Sequence, residues 1–282
     1  MSRTLALADD RTVWSMPLLL KKLRKYMLVV ETSLQSNMAY AANFAADTAF
    51  YAVICFVLMS LWRTIYAGGQ PIPDYSGVQM MWYCIITEMV YMSRCDVFGE
   101  LTRAVQSGEI AYALNKPYDY LFYQFAQGIG LMLIKLAFNG AVGATMGLLL
   151  IGPIQGFSAV TLLPIGLAIL GGMVLNTCLQ ACLGLLAFWS EDNSAYYWIY
   201  SKLVLMLGMM LPVEYFPGRL EAIVRFLPFP YITYGPARLM VAFSWERFLQ
   251  TAAVQAVYIA LSVLLAIAVY RKGVRQVNVN GG

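Results

Sequence analysis

The chain has 282 residues, of which 60% are hydrophobic and only 12% charged, with a formal net charge of +4. Soluble domains carry about 25% charged residues, so a mostly water-soluble chain is excluded and lipid is the expected solvent. Histidine is absent, which removes the commonest general base and the commonest transition-metal ligand.

Residues 1–17 are mixed in character, with Asp9, Asp10 and Arg11, and read as a cytoplasmic tail and not as a cleavable signal peptide. Lys21, Lys22, Arg24 and Lys25 are interleaved with Leu18, Leu19, Leu23, Met27 and Leu28. A helix over 18–38 would lay a basic, partly amphipathic face on the membrane surface; an ordinary flanking charge cluster is the plainer alternative. Six apolar stretches follow, at 44–66, 77–96, 121–151, 162–189, 195–213 and 247–270. Each reaches the roughly 20 residues that a bilayer crossing needs. Twelve Lys and Arg fall on the side shared with the N-terminus and five on the other, leaving out Lys135 and Lys202 within spans. That asymmetry places both termini in the cytoplasm. A single transmembrane domain over 18–272 is expected, with a C-terminal cytoplasmic tail over 273–282.

Two regions interrupt the spans. Between spans 2 and 3, DVFGELTRAVQSGEIAYALNKPYDY (96–120) places Leu101, Ala104 and Val105 on one helical face and ends at Gly108. A second short helix, Glu109–Leu114, with Ile110, Ala113 and Leu114 as its apolar residues, would stop before Pro117. After span 5, LPVEYFPGRLEAIVRFLPFPYITYGPARLM (211–240) lets a helix begin at Pro217. Leu220, Ile223, Val224 and Leu227 then form one apolar stripe. Pro228, Pro230 and Gly235-Pro236 break the chain again. These read as external re-entrant helices, with Glu214, Arg219, Glu221 and Arg225 as their charged residues.

Asp47, Glu88, Lys135 and Lys202 fall within spans, where ionisable groups are costly. A Glu88–Lys135 pair would offset desolvation; separate snorkelling is the alternative. Trp62, Trp82, Trp189 and Trp198 near span ends suit interfacial anchoring, and Tyr196, Tyr197 and Tyr200 suit either packing or a pathway wall. The five cysteines, Cys55, Cys84, Cys95, Cys178 and Cys182, form no C-x-x-C pair and read as packing residues, with no metal site. No phosphate-binding loop, H-E-x-x-H or G-x-S-x-G motif occurs. Catalytic residues are therefore none, and no soluble basic face suggests nucleic acid.

Four segments carry a family resemblance: the basic elbow leading into NMAYAANFAADTAFYAVICFVLMSLWRTIYAG, the stretch SGEIAYALNKPYDYLFYQFAQGIG, FWSED after span 4, and LPVEYFPGRLEAIVRFLPFPYITYGPARLM. Over residues 20–272 the chain resembles the permease subunits of type-2 ABC exporters, bacterial six-span branch. The resemblance implies an all-α polytopic fold with six transmembrane helices, an N-terminal interfacial elbow helix, a cytoplasmic coupling helix at about 97–107 and external re-entrant helices after span 5. It implies half of a conduit in the bacterial cytoplasmic (inner) membrane. The other half is a second permease, identical or related, and a cytoplasmic ABC ATPase subunit holds the ATP and Mg. No cofactor is expected in this chain. Glu100, Leu101, Arg103, Val105 and Gln106 are then the expected ATPase-docking residues. Family members export drugs, lipids, glycans or peptides. An ion-coupled secondary transporter and an intramembrane lipid-modifying enzyme are the competing classes.

Overall fold

The computed structural model describes residues 18–39, 41–68, 75–154, 157–190 and 192–280. The expected tail over 1–17 lies outside them, as does Glu191 of the FWSED segment. Every regular element among the described residues is helical. In chain order they are α1 (Leu18–Ala39), α2 (Ala45–Ala67), α3 (Gly77–Met92), α4 (Val97–Gln106), α5 (Glu109–Leu114), α6 (Tyr120–Leu150), α7 (Leu162–Gly184), α8 (Ser194–Val204), α9 (Gly218–Phe226), α10 (Tyr234–Val241) and α11 (Trp245–Asn280). The last helix runs past the Lys272 boundary expected for the transmembrane domain.

Local chemistry sets the helix starts. Ser76 and Gln79 form a reciprocal capping box at α3: Gln79 N–H donates to Ser76 Oγ at 3.2 Å and Ser76 N–H to Gln79 Oε1 at 2.9 Å. Asp96 caps α4 by accepting from Gly99 N–H at 2.9 Å. Asp119 caps α6 through Leu121 N–H and Phe122 N–H at 3.0 and 3.2 Å. Gly108, at φ +74°, supplies the left-handed residue that turns α4 into α5.

Four helices are long and apolar enough to cross a membrane: Ala45–Ala67, Tyr120–Leu150, Ala159–Phe188 and Trp245–Arg275. The other two expected spans are shorter. The α3 helix has 16 residues, about 24 Å at 1.5 Å per residue, and stops where the chain turns through Ser93 toward the Asp96 cap. The α8 helix passes into a π-helical turn, Leu205–Met209, before Pro212 ends it.

The core forms around α3, which packs against α2, α6 and α10. Met80 and every residue from Trp82 to Val90 are buried. Trp82 is therefore no interfacial anchor. Its ring packs on Gly147, where a side chain on α6 would collide with it, and its Nε1–H donates to the Gly152 carbonyl at 2.9 Å. Trp62 is buried as well, whereas Trp189 and Trp198 are exposed. The α7 helix packs against α4, α10 and α11, and small residues allow the approach. A Cβ at Gly172 would run into the Ile232 carbonyl, which is backbone and cannot swing aside. Gly172→Ala is expected to destabilise the fold by about 1–3 kcal/mol through overpacking, read as a lowered thermal midpoint of the detergent-purified chain; an unchanged midpoint would contradict this packing.

The α1 helix lies alongside the first half of α6 and runs the same way. Lys25 Nζ donates to the Pro117 carbonyl at 3.1 Å, Asp119 N–H donates to Tyr26 Oη at 3.2 Å, and Ser33 Oγ donates to the Gln127 carbonyl at 2.8 Å.

Candidate functional site

The α4–α5 hairpin has one face fixed to the bundle and one face open. Val97, Phe98, Leu101 and Ala104 recur at three- and four-residue spacing, so they share the inward side. Leu101 is 0% exposed and packs against Gly184 at the end of α7. Phe98 stacks on Tyr197 of α8, centroids 4.3 Å apart. Asn193 ties the junction together. Its Nδ2 donates to Thr102 Oγ1 at 3.0 Å, to the Leu183 carbonyl at 3.1 Å and to the Gly184 carbonyl at 3.3 Å. Beside it, Asp192 Oδ1 accepts from Ser194 N–H at 2.9 Å, and the Ser194 hydroxyl and N–H hold this carboxyl below its ordinary range.

The open face carries Glu100, Arg103 and Gln106, the first two joined as an ion pair. Of the expected docking residues, Leu101 is thus misplaced: it belongs to the buried stripe and offers nothing to a partner. Val105 is half-buried. Leu114 of α5 has its side chain outside the described residues, while Ile110 and Ala113 are buried. Sequence reasoning missed Tyr112, 78% exposed on α5. Its position opposite the buried Ile110 and Ala113 was the available signal.

Above the hairpin, a cleft of about 450 Å³ is lined by Asp47, Phe50, Arg94, Asp96, Lys135 and Tyr197, among others. Lys135 does not meet Glu88; its Nζ lies 3.1 Å from Asp47 Oδ2. Helix register explains the correction. Asn139 of α6 donates to Ser93 Oγ at 3.0 Å, which fixes the level of these two antiparallel segments. Lys135 lies four residues to one side of that contact and Glu88 five to the other, about 13 Å of helical rise apart. Glu88 is buried, and its Oε2 has no hydrogen-bond partner among the described residues. Arg94 folds over the Tyr91 ring at 3.6 Å and donates to the Tyr91 carbonyl at 2.7 Å. Lys202 lies over Trp198 at 5.4 Å. Of the three tyrosines, Tyr196 is exposed, Tyr197 lines the cleft and Tyr200 is buried.

The segment after α8 closes around Glu214, whose side chain is 13% exposed. Tyr234 Oη donates to its Oε1 at 2.6 Å, Arg238 Nη2 lies at 2.8 Å and Arg225 Nη2 at 3.7 Å. Tyr75 Oη donates to Oε2 at 3.4 Å. Arg225 also pairs with Glu221 at 2.7 Å. Burial, and then the Glu214 charge, raise both Tyr75 and Tyr234 above the ordinary phenol range, which keeps their donor protons in place. Glu214, Glu221 and Arg225 therefore gather as a group, and Arg219 stays exposed outside it. Tyr75, Tyr234 and Arg238 complete the cluster; of these three, the i, i+4 spacing of Tyr234 and Arg238 was the available sequence trace. The apolar stripe of α9 is mostly uncovered: Val224 is buried, but Leu220 and Ile223 are exposed.

A family model described as ABC-2 family transporter protein matches residues 52–281. No curated protein matches the chain. The match spans most of the apolar helices, the α4–α5 hairpin and the Glu214 cluster, and the chain belongs to the ABC-2 transporter family as a multi-pass membrane permease.

Proposed function

We propose that this chain is the membrane half-conduit of an ATP-driven exporter, worked by a separate cytoplasmic ATPase that binds the ATP and Mg. The observation that carries the reading is the two-faced α4–α5 hairpin. Its inner face is locked to the α7–α8 junction by Leu101, Phe98 and Asn193. Its outer face offers Glu100, Arg103, Gln106 and Tyr112, a mixture of charge and aromatic surface suited to a protein partner. A push on that face moves α7 and α8 as a rigid body, because the buried contacts leave the hairpin no independent freedom.

Six crossings complete the topology when α3 and α8 with its π turn are added to the four long helices. Both termini then lie in the cytoplasm of a bacterial inner membrane, in line with the distribution of Lys and Arg. One domain over 18–272 forms the permease, α1 is its interfacial elbow, and α9 and α10 are external helices held by Glu214. The uncovered apolar side chains Phe50, Val53 and Val57 of α2, Trp198 of α8 and Met206 of the π turn supply surface for lipid and for a second permease.

Affinity purification of the full chain from its native membrane in mild detergent tests the reading. An ATPase with a phosphate-binding loop should travel with it, and ATP hydrolysis should appear with that ATPase and not with the chain alone. Hydrolysis by the isolated chain, or gradient-driven transport without ATP, would overturn it.

A further inference from the structure

We propose that a cleft between α1 and the start of α6 is a binding site for one anionic glycerophospholipid of the inner leaflet, which staples the elbow helix to the bundle. The cleft has a volume of about 590 Å³. Lys22 and Lys25 line it together with Leu23, Tyr26 and Phe122, which supply an apolar wall. The two rings lie 5.9 Å apart, so the wall is continuous.

Charge selects an anion. Neither lysine has a carboxylate partner among the described residues. Lys25 uses one of its three donors on the Pro117 carbonyl. Asp119 also lines the cleft, but its Oδ1 already accepts two N–H groups at the α6 terminus, where the helix dipole offsets its charge. Two ammonium groups thus face the cleft against one carboxylate already engaged.

The apolar wall selects a lipid over a free anion. Leu23, Met27 and Phe122 are all exposed and continue the wall outward. A small anion would leave them wet, whereas an acyl chain covers them while its phosphate reaches Lys22 and Lys25. The site rests on the cytoplasmic placement of α1 proposed above. It does not need the ATPase, and binding in detergent is read without either.

The test is native mass spectrometry of the full-length chain in mild detergent, titrated with dioleoyl phosphatidylglycerol. One lipid should bind ahead of the rest. Lys22→Gln, which spares the Lys25–Pro117 hydrogen bond, should weaken that first binding about fivefold, and Lys22→Gln with Lys25→Gln about 25-fold. Lys21→Gln and Arg24→Gln remove the same charge from the same helix outside the cleft and should change it less than about twofold. Dioleoyl phosphatidylcholine should not match the anionic lipid, and inorganic phosphate should not compete. Equal weakening by all the basic substitutions would reveal a diffuse basic surface and overturn the site. So would competition by inorganic phosphate, equal binding of phosphatidylcholine, or indifference to Lys22→Gln.

Discussion

Glu214→Ala is expected to unfasten α9 and α10 from the bundle. Five groups meet at this carboxylate or its partners, from three separate segments: Tyr75 before α3, Arg225 of α9 with its own partner Glu221, and Tyr234 and Arg238 of α10. Removing the acceptor strands the Arg238 guanidinium, only 21% exposed, and two phenols whose protons point at the vacated position. Breaking one partner of a buried pair costs on the order of 3 kcal/mol, because the remaining charge is uncompensated. Arg225 contributes less to the loss, since Glu221 still holds it and it is a third exposed. The thermal midpoint of the detergent-purified chain should fall by several degrees, and trypsin should cut that chain at Arg219 and Arg225 faster than it cuts the wild type. Glu214→Gln keeps an acceptor without the charge and should fall between. Glu214→Leu with Arg238→Met should recover much of the loss, since both charges leave together. Wild-type stability in Glu214→Ala would mean that the cluster does not hold α9 and α10.

The second large effect is expected at the α4–α5 hairpin. Tyr and Arg are the residue types that most often carry binding energy at protein interfaces, and Tyr112 and Arg103 are both exposed on the hairpin. Tyr112→Ala with Arg103→Glu should weaken association with the ATPase by about 3–5 kcal/mol, enough to abolish co-purification. The fold should survive, because neither side chain is buried and the Arg103–Glu100 pair is solvent-exposed. Leu101→Ala provides the contrast. It truncates a fully buried isobutyl side chain and leaves a cavity, which should lower the thermal midpoint together with association. Full assembly by the Tyr112/Arg103 variant would move the docking surface elsewhere.

Much of this architecture was legible in the sequence. Apolar length located the four long helices, and Gly108, Pro117 and Pro217 located the breaks, because these residues act locally. The hairpin's existence was legible for the same reason. Which side faces outward was not fully read: Val97, Phe98, Leu101 and Ala104 form one stripe, yet Leu101 was grouped with the charged residues of the other side. The Glu88–Lys135 pairing failed on a different ground. Sequence places both residues within spans but says nothing of how far α3 and α6 are slid along each other. The Asn139–Ser93 hydrogen bond marks that register, and Lys135 meets Asp47 of α2 instead. Trp82 looked like an interfacial ring because it lies near a span end. Its burial depends on Gly147, 65 positions later in the chain, and no local pattern carries such a contact. The Glu214 cluster was half visible for the same reason, since Tyr75 and Arg238 join it only through the tertiary fold.

The most direct measurement places a photo-crosslinking amino acid at position 112 in the full chain and irradiates intact cells. Tyr112 is the expected grip of the ATPase, so the expected result is one adduct to a protein that carries a phosphate-binding loop, absent when the same probe replaces the buried Ile110. An adduct only to lipid, to a protein without that loop, or to none at all would contradict the coupling of this hairpin to a separate ATPase.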